Sequence, residues 1–272
     1  MTRSLLRPTL GLSAALALAV TGAGCAASRL HLPTDPGTPV AEAAQMLDEA
    51  AAGCRGVRTL QAELAIWGRV GGDKLRGRVI AGFERPSAMR LEAVAPFGPP
   101  AFILVSRAGS ATLLIPRDSR LLADAPPAEV IEALTGVSLA PDDLLAILAG
   151  CISNDRQATS ARAFANGWVG VRVADGTTIY LRPEARGWGI VAGIRGPLTV
   201  EYDRGPGLAP SRVRLRVADE AGAVTAELDI SLAQVETNTS IDARAFALRA
   251  PDQAVPLTLE ELRRGGPLGQ RR

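Results

Sequence analysis

The feature that most constrains the fold of this chain is a two-residue alternation of apolar and polar side chains, repeated in about a dozen short runs. In the first run Leu60, Ala62, Leu64 and Ile66 alternate with more polar residues, a period typical of a strand with one buried face. A Gly-Gly-Asp sequence at 71–73 separates this run from the next and predicts a hairpin. Successive runs joined by short turns form a meander, so the chain is predicted to fold into an antiparallel sheet. The predicted strands are 60–70, 75–83, 89–95, 101–106, 111–116, 119–123, 167–173, 177–183, 187–194, 197–203, 211–217 and 223–236.

Three helical segments interrupt the strands. Val40–Gly53 has apolar residues at helical spacing. Two short apolar helices are predicted at Ala128–Leu134 and Asp142–Ala149, each preceded by proline and followed by glycine. The fold is therefore predicted to be mainly β with a few helices (α+β), a single domain over residues 40–255. A strongly curved sheet with the helices on its concave face satisfies this pattern.

The N-terminus has the features of an export signal. Residues 1–24 contain two arginines and no acid, then an apolar run at Pro8–Val20 and small residues, which predicts a signal peptide. That run is too short for a membrane-spanning helix. Cys25 follows at the position of the lipidation site of bacterial lipoproteins; an ordinary cleaved signal with an incidental cysteine is the alternative. Residues 25–39 are predicted to be a flexible tether, and residues 256–272 a disordered tail.

Two cysteines remain once Cys25 is set aside. Cys54 and Cys151 each lie beside a glycine at the end of a helical segment. An even number of cysteines in an oxidising compartment favours a disulfide. Two free thiols or a redox pair are the alternatives, but neither cysteine has a neighbouring histidine or a C-x-x-C partner.

The titratable residues argue against an enzyme. The only histidine, His31, lies in the predicted tether, which leaves the domain without a histidine triad or a histidine-containing zinc site. The adjacent carboxylates Asp142 and Asp143 begin a predicted helix, where acidic side chains favour the helix dipole. Without residues 1–24 the chain has 28 basic and 28 acidic residues, so no nucleic-acid surface is predicted. No metal and no cofactor are expected.

A succession of motifs in the middle of the chain carries a family resemblance. An R-L strand, a P-F-G turn, an L-T-G helix end and a second helix ending in L-A-G follow one another. They lie at Met89–Leu91, Ala95–Gly98, Leu134–Gly136 and Leu144–Gly150, with alternating residues Ile103, Val105 and Thr112–Leu114 among them, and weaker matches at Gly187-Trp188, Arg212–Val217 and Glu227–Leu232. This succession resembles that of the LolB-like outer-membrane lipoprotein receptors, within the lipoprotein-localisation (LolA/LolB-like) superfamily.

The resemblance implies an open β-barrel, here of about eleven strands, whose helices form a lid over an apolar cavity for acyl chains. It also implies receipt of lipoproteins from a periplasmic LolA-like carrier, delivery to the outer membrane, and no covalent chemistry. Ala26 and Ala27 follow Cys25, without the aspartate that commonly retains lipoproteins at the inner membrane, which favours lipid-anchored residence at the periplasmic face of the outer membrane. The family's membrane-entering turn corresponds to Pro96, Phe97 and Gly98; a core phenylalanine at a strand end is the alternative.

Further candidates for lipid contact are apolar strand and helix residues and one arginine. They are Trp67, Phe83, Arg90, Leu91, Phe102, Leu144 and Leu148. Arg90 is expected either at the cavity mouth or, alternatively, on a solvated face. The rival function is that of a structural or interaction lipoprotein, in which the same fold has a solid core and recognises a protein partner.

Overall fold

One sheet of fifteen strands organises the protein, which we describe from a computed structural model over residues 30–185 and 187–265. The strands are β1 (Thr38–Pro39), β2 (Thr59–Val70), β3 (Asp73–Glu84), β4 (Ala88–Val94), β5 (Phe102–Arg107), β6 (Ser110–Ile115), β7 (Arg120–Ala125), β8 (Ala158–Ala163), β9 (Val169–Val173), β10 (Thr178–Glu184), β11 (Gly187–Arg195), β12 (Leu198–Asp203), β13 (Arg212–Ala218), β14 (Val224–Thr237) and β15 (Val255–Pro256). The helices are α1 (Ala43–Arg55), α2 (Pro127–Thr135), α3 (Pro141–Ala149) and α4 (Leu259–Arg264), with 3-10 turns at Pro116–Asp118 and Ala243–Phe246.

The sheet is curved and unclosed. Its strands lie in the order β1-β8-β9-β10-β11-β12-β13-β14-β2-β3-β4-β5-β6-β7-β15. Neighbouring strands pair antiparallel throughout the described sheet, except β15, which runs parallel to β7. The predicted fold class, a mainly β chain with an open antiparallel sheet and a few helices, is confirmed.

The strand count is higher than the eleven or so expected. All twelve predicted runs form strands, with bounds that differ by at most two residues. The additional strands are β8, which lies next to the edge strand β1 and is only partly buried, and the two-residue edge strands β1 and β15. None of these strands has enough alternating apolar residues to show a two-residue period in the sequence. Backbone hydrogen bonds to the neighbouring strand define them instead.

Two domain boundaries also differ from the sequence-based ones. Thr38–Pro39 pairs with β8, and the Pro36 carbonyl accepts a hydrogen bond from Arg162, so the end of the predicted tether belongs to the fold. The prediction of a disordered tail is wrong for residues 256–265, which contain α4 and the buried Leu262. The rest of that tail, the predicted signal peptide and Cys25 lie outside the described residues.

The core lies on the inner face of the sheet, beneath the helices. The even-numbered apolar residues from Leu60 to Ile66 in β2 point inward, as their period predicts. In α1 the buried residues Ala43, Leu47, Ala51 and Cys54 recur at helical spacing. The helices therefore cover the face on which the alternating strands place their apolar side chains.

Helix α3 is fixed at both ends. Asp142 and Asp143 lie in its first turn, as predicted, and form ion pairs with Arg85 and Arg195, the second at 2.8 Å. At its C-terminal end Cys151 forms the predicted disulfide with Cys54 of α1, with α-carbons 5.6 Å apart. Helix α3 therefore cannot leave the sheet without breaking contacts at both ends.

The chain after β14 crosses the outer face of the sheet and returns to the helices; we call residues 238–265 the C-terminal strap. Its 3-10 turn accepts a hydrogen bond from Arg90 at the Ala245 carbonyl, and its last helix, α4, packs on α2. Thr258 and Glu261 form a capping box at the start of α4. The Glu261 carboxylate accepts hydrogen bonds from the Thr258 backbone, which has the larger effect, and from the Arg120 side chain, and these lower the pKa of Glu261 to about 2. The strap thus joins the outer face of the sheet to α2.

Candidate functional site

An apolar cavity lies between the inner face of the sheet and the helices α2 and α3. Strands β2 to β5, β13 and β14 form its floor, and α2, α3 and the segment between them form its roof. Fourteen of its fifteen described lining residues are apolar. The exception, Thr135, donates its hydroxyl hydrogen bond to the Ile131 carbonyl within α2, so none of the described lining groups offers a free polar partner to a ligand.

The structure brings four of the seven candidate lipid-contact residues together in this cavity. Leu91 and Phe102 lie in the floor, and Leu144 and Leu148 lie in the roof. Lining residues that were not among the lipid-contact candidates include Leu134 of α2, Leu215 of β13 and Leu228 of β14. The alternation of the strand residues was visible in the sequence, but the sequence did not show which strands would lie beneath the helices.

The other three candidates lie elsewhere. Phe83 is fully buried in the core but is absent from the cavity lining. Trp67 and Arg90 lie on the outer face, because they alternate with the inward residues of their strands; the expectation that they contact a ligand in the cavity is wrong. Trp67 packs against Arg212, whose guanidinium carbon is 5.4 Å from the ring centroid, and Arg90 pairs with Glu92 at 3.0 Å.

The cavity is nearly closed in this conformation. Its volume is about 50 Å³, whereas an engineered apolar cavity that binds benzene measures about 150 Å³. An acyl chain is much larger than benzene, so it could enter only if part of the roof moved away from the sheet.

Helix α2 is the part of the roof with the weaker attachments. Its C-terminal end, Gly136, has a φ of +70°, and a β-carbon there would overlap the Val70 side chain. Glycine therefore allows both the turn and the close approach to β2. Its outer surface carries the exposed ion pair Glu129–Arg263 to α4, at 3.0 Å. Unlike α3, α2 has no described covalent tie, so α2 is the part of the roof that could move away from the sheet and from α4.

The turn between β4 and β5 projects from the sheet. The side chain of Phe97 is 94% exposed, which excludes the alternative of a core residue. Pro96 and Gly98 flank it, and Gly98 has a φ of +82° that favours glycine. The backbone of Ala101 donates a hydrogen bond to the Ala93 carbonyl at 2.9 Å and closes the base of the turn. The ring therefore extends into solvent from a firmly closed loop.

A larger groove of about 460 Å³ lies at the opposite end of the sheet, between the 205–211 loop and β14. It is bordered by Gly205, Pro206 and Pro210 of the loop and by residues of β14 such as Leu232 and Val235. Within the described residues no group of three or more His, Cys, Asp or Glu side chains could hold a metal ion. In the same part of the chain, no helix is both long and apolar enough to cross a bilayer.

Comparisons with known proteins show which fold this is. No protein-family model matches the chain, and no curated protein sequence matches it. Among solved structures, a LolA superfamily protein from Nitrosomonas europaea superposes with a TM-score of 0.52 at 9% identity, covering 77% of this chain and 99% of that one. A DUF1329 family protein from Desulfovibrio piger gives a TM-score of 0.50 at 9% identity, covering 77% and 98%. At these identities the likeness shows a shared fold.

Proposed function

We propose that this protein is a non-catalytic outer-membrane lipoprotein that binds acyl chains and, like LolB-like receptors, receives lipoproteins and inserts them into the membrane. The observation that supports the proposal is the cavity between sheet and helices, whose described lining is apolar except for one satisfied hydroxyl. A surface without polar partners favours a ligand that is itself apolar. The fold shared with a LolA superfamily protein agrees with this function.

The energetics suit reversible binding. Burial of about ten methylenes would contribute about 8 kcal/mol before the costs of ordering the chain and opening the roof. Dissociation constants in the micromolar range or weaker are therefore expected. Such an affinity allows the cargo to be passed on.

The proposed anchor lies at Cys25, which would be lipidated after removal of residues 1–24. Several acyl chains on one cysteine would make the anchor stable, because each buried methylene contributes about 0.8 kcal/mol. Ala26 and Ala27 at the following positions fit residence in the outer membrane. The donor of cargo would be a soluble LolA-like carrier in the periplasm.

A second candidate function rests on the small size of the cavity. At about 50 Å³ the interior could instead be a permanently packed core. The protein would then be a structural or interaction lipoprotein of the same fold, with a protein partner and no lipid transfer. Mobility of α2 distinguishes the two functions.

Truncation of Leu262 tests this mobility. Leu262 is buried in α4, which packs on α2, so Leu262→Ala should loosen the roof at a cost to the closed state of about 2–5 kcal/mol. The apparent affinity for an acyl chain becomes lower as the fraction of closed molecules becomes larger, because only open molecules bind. We therefore expect Leu262→Ala to bind a fluorescent long-chain fatty acid more tightly than the unaltered protein, by about 30-fold for the lower of these costs, although its Tm falls.

The matched control is Leu181→Ala, a fully buried position in β10 outside the cavity lining. It should lower the Tm and leave acyl affinity unchanged. Equal or weaker acyl binding by a folded Leu262→Ala protein would contradict an opening at α2 and would favour the packed-core function.

A further inference from the structure

The β2–β3 hairpin presents a row of positive charge beside the Phe97 turn. Arg69, Lys74, Arg76 and Arg78 are all exposed on the outer face; we call these four residues the basic face. Residues 69–78 contain these four basic side chains and one acid, Asp73. Because the side chains alternate along each strand, the four point to the same side of the sheet.

The strand register places the basic face next to the exposed apolar residues. Arg78 pairs with Val94, the last residue of β4 before the turn that carries Phe97. Directly opposite residues have β-carbons about 5 Å apart. Ile80, Val94 and Phe97 are 52%, 44% and 94% exposed. Positive charges and exposed apolar side chains thus share the same outer surface.

The charges of the basic face are incompletely compensated. Arg69 lies directly opposite Lys74, a like-charge arrangement that is unfavourable in a sheet. Arg78 pairs with Glu63 at 2.9 Å but keeps 69% of its side chain exposed. Within the described part of the chain, no ion pair involves Arg69, Lys74 or Arg76.

Most of the acidic groups near this surface lie on its β14 side. Glu227 of β14 pairs in register with Arg69, and the β13–β14 turn carries Asp219 and Glu220. On the other side, toward the Phe97 turn, the outward residues of β3 and β4 include Glu92, which pairs with Arg90. The positive region is therefore directed toward the turn at the end of the sheet.

We propose that the basic face binds the headgroups of an anionic phospholipid bilayer while Phe97 enters its interface. The inference rests on the proposed function and extends it to the lipid class that the protein recognises. A protruding aromatic on a closed turn suits a fluid surface, because an aromatic tip needs no preformed recess in a bilayer. Basic side chains close to an anionic surface are attracted within a Debye length, about 8 Å at physiological salt.

The test is vesicle binding by the compact unit Pro33–Arg272, which contains the sheet, the core and the disulfide and lacks the anchor. Cosedimentation is measured with phosphatidylcholine vesicles, with and without about one third phosphatidylglycerol. Since each basic residue near such a surface contributes about a factor of five, Arg69→Gln/Lys74→Gln/Arg76→Gln should weaken binding to anionic vesicles by about 100-fold. High salt should abolish the difference.

The control neutralises three other exposed arginines, Arg107, Arg172 and Arg182, and should change vesicle binding much less than the basic-face variant. Equal binding to neutral and anionic vesicles, or an unchanged affinity of the basic-face variant, would overturn the inference. The inference would also be overturned if the protein prefers anionic vesicles but the basic-face variant and the control variant lose affinity for them equally. Binding of an acyl probe is also measured on the same variants without vesicles. No probe binding would refute the proposed cavity function. Probe binding together with equal binding to neutral and anionic vesicles would refute only the proposal that the basic face binds anionic lipid.

Discussion

Replacing Cys54 and Cys151 together by alanine is expected to lower the free energy of unfolding by about 4–5 kcal/mol. The disulfide closes a loop over a sequence separation of 97 residues, and in the chain-entropy model a loop of this length contributes about that amount. For a domain of this size, the Tm should fall by roughly 10 °C or more. Thermal melting followed by circular dichroism measures the change.

The control is the unaltered protein in reducing agent, whose Tm should fall toward that of the double variant. The Tm of the double variant should not change when reducing agent is added. The disulfide also joins α1 to the end of α3. Its loss should therefore expose the roof of the cavity near Leu148 to local unfolding and increase amide hydrogen exchange in α3. A Tm unchanged by both the substitutions and reduction would show that the bridge contributes nothing to stability.

Phe97→Glu is expected to abolish delivery of acylated cargo to membranes with almost no change in Tm. The ring is 94% exposed, so it buries little surface on folding, and exposed substitutions usually change stability by less than about 0.5 kcal/mol. A carboxylate in its place would have to enter an apolar interface, which is strongly unfavourable. A liposome-transfer assay beside thermal melting separates the two effects.

Leu208→Glu is the matched control, because Leu208 is also an exposed apolar side chain, at 62%, but lies on the loop at the opposite end of the sheet. It should leave both transfer and Tm unchanged. Full transfer by Phe97→Glu would remove the membrane-entry role of the turn. Equal loss of transfer in both variants would show a general charge effect.

The sequence predicted the sheet well because most of its strands have one buried face. That requirement imposes the two-residue period, and twelve strands followed from it. Strand β8 has a single buried residue, Ala161, so its sequence shows no period. Helix α4 was missed although Thr258 and Glu261 form the T-x-x-E capping-box signature.

The candidate site could be predicted in part. The alternation that places Ile66 and Leu91 inward also places Trp67 and Arg90 outward, so their assignment to the cavity could have been avoided from the sequence. The exposure of Phe97 was implied by the resemblance of its turn to the membrane-entering turn of the LolB-like family, whereas the residues alone left a core position open. The closed roof could not be predicted, because it depends on how the helices pack across the sheet rather than on any local pattern.

The most direct test of the central claim is the dependence of acyl-chain affinity on chain length. The compact unit Pro33–Arg272 is titrated with saturated fatty acids of increasing length in competition with a fluorescent acyl probe. If the cavity between the sheet and α2 and α3 opens to enclose the chain, each added methylene should contribute up to about 0.8 kcal/mol. Two methylenes should then lower the Kd by about tenfold until the cavity is filled. An affinity independent of chain length, or no binding by protein that circular dichroism shows to be folded, would contradict the account.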